Sequence, residues 1–305
     1  MHLASAQNLA GIDIGTNSVR LLIINERGEE LTRWMEITRL GQGVDQNGCL
    51  SAEAIDRTLE VLKRYRGELL RHQTQRVRIT ATSAARDASN REAFFGPLRE
   101  LMGQEPELLS GETEAQLSFV GATDGVEQDN APFLVFDIGG GSTEFAFGSA
   151  APSSFVSLDM GGVRMTERFL TSDPPRAEEL DRCRAFVREQ LDYVSESLPV
   201  AEARTWLGLA GTVTTCAAYA LNLKVYDATL THGFELSAEH ASRFLRELSQ
   251  MTTAERRVRL LEKKRAEVIV GGAVILDAIF KHFKLKSVRV SEKDILDGLA
   301  ASLLT

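Results

Sequence analysis

Phe136-Asp137-Ile138-Gly139-Gly140-Gly141-Ser142-Thr143-Glu144 lies between an apolar strand at 132–136 and another at 145–147, so an acid, a glycine run and two hydroxyls occupy a turn between strands. An echo lies upstream. Gly11-Ile12-Asp13-Ile14-Gly15-Thr16-Asn17-Ser18 follows Leu9-Ala10 and precedes Val19-Arg20-Leu21-Leu22-Ile23-Ile24. Glycine permits the positive φ and close backbone approach that turn successive N–H groups toward an anion, and hydroxyls add donors. Each stretch therefore reads as a phosphate cradle, and the chain as carrying the cradle twice. The flanking strands make both β-hairpins. That excludes the P-loop, which needs Gly-Lys-Ser/Thr opening a helix, and the dinucleotide fingerprint, which needs a βαβ unit. An Asp entering a turn repels phosphate, so Asp13 and Asp137 are read as holding a divalent cation that bridges to it. Capping the hairpin by Asx-type hydrogen bonds is the alternative, and the two roles can coexist.

Outward from these turns the chain repeats itself. The patterning predicts strands at 9–14, 18–25 and 31–39, then a helix capped by Ser51 with Ile55, Leu59, Leu62 and Leu69 on one face. A strand at 76–80, a helix near 90–102, a strand at 106–109 and a helix after Ser110-Gly111 complete a βββαβαβα order. From Phe133 the order restarts: strands at 133–137, 143–148 and 153–158, a helix at 177–198 capped by Asp173 with Pro174 at its first position, and a strand at 205–209. Helices at about 212–222, 237–249 and 253–280 follow, and the closing helix at 294–304 could return to the first domain. The expected fold is α/β, two domains of duplicated topology with the cradles facing across an interdomain cleft. The first spans 1–126, completed by 294–305, and the second spans 127–293.

Composition sets the bounds. At 305 residues, 43% apolar and 26% charged, the chain can bury two cores. It has no apolar run of the roughly 20 residues needed to cross a bilayer, and residues 1–7 lack a leader's basic and apolar regions, so a cytoplasmic protein is expected. Cys49, Cys183 and Cys216 form no metal or disulfide pattern and read as free thiols. A formal charge of −8 argues against a DNA partner. Residues 255–293 nevertheless hold 11 Lys/Arg against 5 Asp/Glu, a net of +6. That segment is either a polyanion surface or the solvated face of a helix carrying Arg256, Arg257, Arg259, Lys263, Lys264 and Arg265.

Further stretches add to the two turns: Ala81-Thr82-Ser83-Ala84-Ala85-Arg86-Asp87-Ala88, Ser110-Gly111-Glu112-Thr113-Glu114-Ala115, Gly208-Leu209-Ala210-Gly211-Thr212-Val213-Thr214-Thr215, and Val290-Ser291-Glu292-Lys293-Asp294-Ile295-Leu296-Asp297-Gly298. The paired turns and duplicated order resemble the superfamily of acetate and sugar kinases, chaperone ATPases and actin, whose domains are ribonuclease-H-like. The whole set, in this order along nearly the whole chain, more closely resembles the exopolyphosphatase/guanosine pentaphosphate phosphohydrolase family, in its short two-domain branch. Two departures are small: Ala85 stands where the family often has Leu, and Ala210 where it often has Gly.

The resemblance implies a hydrolase that removes terminal phosphate from inorganic polyphosphate. Guanosine pentaphosphate, a stringent-response nucleotide, is an alternative substrate of the same site, and a small-molecule kinase is an alternative class. Phosphoanhydride hydrolysis needs charge neutralisation, a positioned water and a group to deprotonate it. Glu114 matches the family's catalytic base; from position alone it is a first-turn acid complementing a helix dipole. Glu112 would point elsewhere. Arg86 is read as a bidentate phosphate clamp. Asn17, Ser18, Gly139, Gly140, Gly141, Ser142 and Thr143 supply phosphate donors. Asp13 and Asp137, joined by Glu144, hold Mg2+ or Mn2+. Gly211-Thr212 sits where the superfamily's kinases bind adenosine, or is only a strand-to-helix turn. His232 reads as structural. Oligomeric state is not legible, a homodimer being one option, and closure of the cleft about a hinge is expected.

Overall fold

A computed structural model describes residues 7–304. Residues 1–6 and 305, and with them nearly all of the stretch read for a leader, lie outside the described residues.

The first sheet begins with the hairpin of β1 (Asn8–Ile14) and β2 (Ser18–Ile24), continued by β3 (Glu30–Ile37), all antiparallel. Then come α1 (Val44–Asn47), α2 (Ala52–Arg71), β4 (Thr74–Ala81), α3 (Ser83–Asp87), α4 (Glu92–Met102), β5 (Glu107–Leu108) and α5 (Gly111–Thr123). Strand β4 runs parallel to β1, giving the order β3-β2-β1-β4-β5. Ser51 caps α2 by accepting from the Ala54 amide at 3.2 Å, and Ile55, Leu62 and Leu69 lie buried against the sheet's apolar side. The second sheet repeats the plan with β6 (Phe133–Ile138), β7 (Thr143–Gly148) and β8 (Pro152–Leu158), then α6 (Gly162–Phe169), α7 (Ala177–Ser197), β9 (Thr205–Leu209) and α8 (Ala210–Ala220). After α9 (Ala228–Thr231), β10 (Glu235–Ser237), α10 (Ala238–Ser249), α11 (Thr253–Arg259) and α12 (Ile269–His282), β11 (Ser287–Val290) and α13 (Ile295–Ala301) end the described chain. The order is β10-β11-β9-β6-β7-β8, so both sheets share the ribonuclease-H-like core and β10 extends the second.

The halves exchange helices. Ala115, Phe119 and Ala122 of α5 bury against Phe133, Val135 and Ala146 of the second sheet, while Leu296 and Ala300 of α13 bury against Leu9, Leu22 and Ile24 of the first. The two helices cross where neither tolerates a side chain: a Cβ on Gly121 would lie 2.0 Å from the Asp294 carbonyl oxygen, and one on Gly298 would lie 2.1 Å from that of Leu117. The closing helix thus returns to the first sheet, and α5 serves the second.

Three expectations change. Helix α7 starts after Arg176, whose amide donates to Glu179 at 2.8 Å; Asp173 instead accepts from the Thr253 amide at the start of α11 and pairs with Arg256. The single helix at 253–280 is two, broken at 260–268, where Leu260 is extended and the Glu262 carboxylate accepts from the Lys264 amide. Helix α6 and the short strands β10 and β11 fall in stretches whose Gly-Gly pair or brevity hid them. No helix among the described residues is long and apolar enough to cross a membrane.

Candidate active site

Both glycine turns close on the same bond. The Gly15 amide donates to the Ser18 carbonyl at 2.9 Å and the Gly139 amide to that of Ser142 at 3.0 Å. No glycine in either turn takes a φ in the left-handed region; close approach is what demands glycine here. A Cβ on Gly140 would meet Thr16 Cβ at 3.0 Å and Asn17 Cβ at 3.2 Å, and one on Gly141 would meet Ser83 Oγ at 2.4 Å. The turns of the two domains therefore touch, beside a cleft of about 1360 Å3 lined by Asp13, Asn17, Ser18, Gly139, Gly140, Gly141 and Ser142 among others. The carbonyls of Gly139 and Gly140 are taken by the amides of Gly162 and Val163, each at 2.9 Å, at the start of α6. Carbonyls so occupied point away from an anion, which favours an amide-lined floor.

Glu114 sits in the first turn of α5, capped by Ser110 Oγ accepting from the Thr113 amide at 3.2 Å. It is buried and lines the cleft, whereas Glu112 is exposed and faces away. Burial pushes the Glu114 carboxyl up to about 7, with Arg86 opposing and Asp13 and Asp137 adding to the rise. Arg86 donates to Glu114 and to the Leu109 carbonyl at 2.9 Å. Arg86 is not among the residues that line the cleft, and its guanidinium is bonded to Glu114. Burial, Glu114 and Asp137 together hold Glu144 well above the ordinary carboxylate range, and its Oε1 accepts from Ser157 at 2.8 Å.

The two turn acids differ. Asp13 Oδ2 accepts from Arg20 Nη2 at 2.6 Å and Nε at 3.1 Å, while its Oδ1 is buried with no partner. Asp137 Oδ2 accepts only the neutral Ser118 hydroxyl, at 3.0 Å, and burial raises its pKa. Among the described residues no group of three or more His, Cys, Asp or Glu is placed to hold a metal. Mg2+ does not require one, since one or two carboxylates, water and substrate phosphates complete its shell. The orphaned Asp13 oxygen fits that donor set, with Asp137 and Glu144 lining the same cleft.

Of the remaining expectations, Thr143 is fully buried, donates to the Met160 carbonyl at 2.5 Å and does not line the cleft, so its hydroxyl is structural. His232 Nδ1 accepts from the Glu292 amide at 3.2 Å, as a structural residue would. All three cysteines are free. Sequence reasoning missed Arg20, a lone charge in an apolar strand, which also pairs with Asp294 at the cap of α13. It also left the basic segment undivided. Arg256 is buried on Asp173, Arg257 pairs with Glu267, and Arg259 lies 4.7 Å over the Tyr219 ring, but Arg265 enters the cleft. Its guanidinium lies so close over Gly211 that a Cβ there would be 1.6 Å from Nη1, and it has no hydrogen-bond or ion-pair partner among the described residues.

Comparison with known proteins gives this geometry relatives. The chain is 41% identical to exopolyphosphatase 2 of Mycobacterium tuberculosis, over 97% of this chain and 98% of that one. The crystal structure of the Aquifex aeolicus Ppx/GppA family member superposes with a TM-score of 0.81 at 31% identity, covering 98% of both chains. That of an exopolyphosphatase from Cytophaga hutchinsonii gives 0.89 at 27% identity, again over 98% of both. The model of the Ppx/GppA phosphatase family matches residues 22–305, and the chain, a phosphatase of two ribonuclease-H-like domains, belongs to that family.

Proposed function

We propose that the protein is an exopolyphosphatase that removes the terminal phosphate of inorganic polyphosphate, with Mg2+ as cofactor and water as acceptor. The observation that carries this reading is a buried glutamate with a pKa of about 7 beside two touching phosphate turns. A base poised near the working pH combines a usable ionised fraction with enough basicity to draw a proton from water. The amides of the two turns hold the terminal phosphoryl group, and Ser18 and Ser142 add hydroxyl donors. Ionised Glu114, oriented by Arg86, accepts a proton from water as the water oxygen bonds to the terminal phosphorus. The bridging P–O bond breaks, and inorganic phosphate and a chain one unit shorter leave. A bound Mg2+, held by Asp13 and Asp137, would neutralise charge on the phosphoryl oxygens. Arg265, unpaired in the cleft wall, supplies the next positive charge along the chain. It also occupies the space over Gly211 that a kinase of this superfamily would need for a nucleoside, which argues for the hydrolase class.

One observation favours guanosine pentaphosphate as a second substrate: Tyr226, Val258 and Leu261 line the cleft wall while 43%, 87% and 37% exposed, an apolar surface that inorganic polyphosphate does not use. Phosphate release from long-chain polyphosphate and from the nucleotide, measured side by side, tests the ranking. Higher kcat/KM on polyphosphate is expected, and equal or higher kcat/KM on the nucleotide would overturn it. A cytoplasmic setting accords with three unpaired thiols.

A further inference from the structure

Behind the two glycine turns, away from Glu114, one guanidinium binds both domains. Arg164 stands in the first turn of α6, where its own amide already bonds the Gly140 carbonyl at 3.2 Å. Its Nε donates to the Gly141 carbonyl at 2.7 Å, on the second phosphate turn. Its Nη1 donates to Asp45 Oδ1 at 2.8 Å on α1, and its Nη2 to Ser83 Oγ at 3.3 Å and to Asp87, the two ends of α3. Helix α3 carries Arg86, which orients Glu114. The side chain is 12% exposed, so these bonds form largely out of water, where charge-assisted hydrogen bonds are strong. Arg168, one turn on, also grips Asp45, at 2.6 Å, but has no bond to either turn or to α3. Burial would raise the Asp45 carboxyl, yet Arg168 and Arg164 outweigh it and hold it low.

We propose that Arg164 is a positioning residue for the hydrolysis, locking the second phosphate turn to α3, the first-domain helix that carries Arg86, so that Arg86 meets Glu114, held by α5 against the second sheet, in one register. The inference rests on the phosphoanhydride-hydrolase reading. Lysine could keep the charge but not the fork that reaches Gly141, Asp45 and α3 together. A displacement of about 1 Å at a reacting centre costs on the order of 10²-fold in rate.

The test compares Arg164→Met, Arg164→Lys and Arg168→Met with the wild type, by kcat and KM on polyphosphate and by amide hydrogen exchange of 83–87 and 139–142. Arg168→Met serves as the control because it removes a domain-bridging ion pair while leaving both turns untouched. The expected result is a fall in kcat on the order of 10²-fold for Arg164→Met with KM changed less than about threefold, an intermediate value for Arg164→Lys, and kcat within about threefold for Arg168→Met. Exchange should quicken in both segments for the Arg164 variants only. Equal losses in Arg164→Met and Arg168→Met would show ordinary interdomain adhesion and overturn the proposal, as would full activity in Arg164→Met. If Arg164→Met does not fold, Arg164→Lys decides by the same criteria. A wild type inert toward polyphosphate would instead sink the functional reading, and the exchange data would still decide on Arg164.

Discussion

The two phosphate turns share a backbone but not an electrostatic setting. Gly15 and Gly139 close equivalent bonds to Ser18 and Ser142. Asp13, however, is paired with a cation, Arg20, whereas Asp137 has a hydroxyl partner and a pKa raised by burial. Duplication explains why two such turns meet at one cleft. The asymmetry leaves one acid bonded to a guanidinium, while the other joins a cluster, with Glu114 and Glu144, in which burial and mutual repulsion favour protons. Chemistry resides in the difference between the copies.

The largest expected effect removes the group that draws both turns into one reaction. Glu114→Gln should lower kcat by ~10²–10⁴-fold while polyphosphate still binds. Joint loss of binding and turnover would mark Glu114 as structural. Next, Asp13→Asn and Asp137→Asn set the copies against each other. Asp13→Asn should raise the Mg2+ concentration for half-maximal activity on the order of 10-fold or more, and more than Asp137→Asn does. Equal shifts in a Mg2+ titration would mean that the Arg20 pairing carries no functional weight. A smaller contrast lies in pH. With Glu114 at about 7, the ionised fraction, and with it kcat, should rise about tenfold between pH 6 and 8, and a flat profile would remove Glu114 as base.

The same raised pKa has a stability consequence. Ionising Glu114 is harder in the folded chain, so the stability it contributes is fully present below its ordinary value of 4.5 and is lost as pH rises through about 7. The difference in Tm between Glu114→Gln and wild type should therefore shift in the variant's favour from pH 5 to 8. The smallest effect concerns the turns after the parallel strands. Thr82, after β4, has φ −121°, but Ala210, after β9, has φ +64°. Left-handed backbone costs a non-glycine residue about 1 kcal/mol, so Ala210→Gly should raise Tm by roughly 2 °C. An unchanged or lower Tm would show that the turn bears no such strain.

The turns and the alternation around them made the first three strands of each sheet and the Ser51 cap legible, because those signals are local. The order of the strands and the exchange of α5 and α13 depend on which apolar faces find each other, and only the likeness of the two halves hinted at it. Most of the candidate site was legible from residue type and motif: Asp13, Asn17, Ser18, Glu114, Asp137 and Ser142 all line one cleft. Thr143 was read as a phosphate donor with its motif neighbours and Arg86 as a clamp for its guanidinium fork; the bonds they make here, to the Met160 carbonyl and to Glu114, are set by tertiary packing. Arg20 and Arg164 went unnoticed, and Arg265 was not set apart from its basic run, for the converse reason. Each is an unremarkable charge in its own segment and acquires meaning from residues far away in the chain.

The crossing at Gly121 and Gly298 bears on how the protein is made. Sheet β3-β2-β1-β4-β5 is translated first, yet the apolar side formed by Leu9, Leu22 and Ile24 is covered by a helix translated after both sheets. Domains commonly fold in order of synthesis. Here the first sheet must hold an uncovered face until residues 295–301 have left the ribosome, which makes the half translated first the last to be finished.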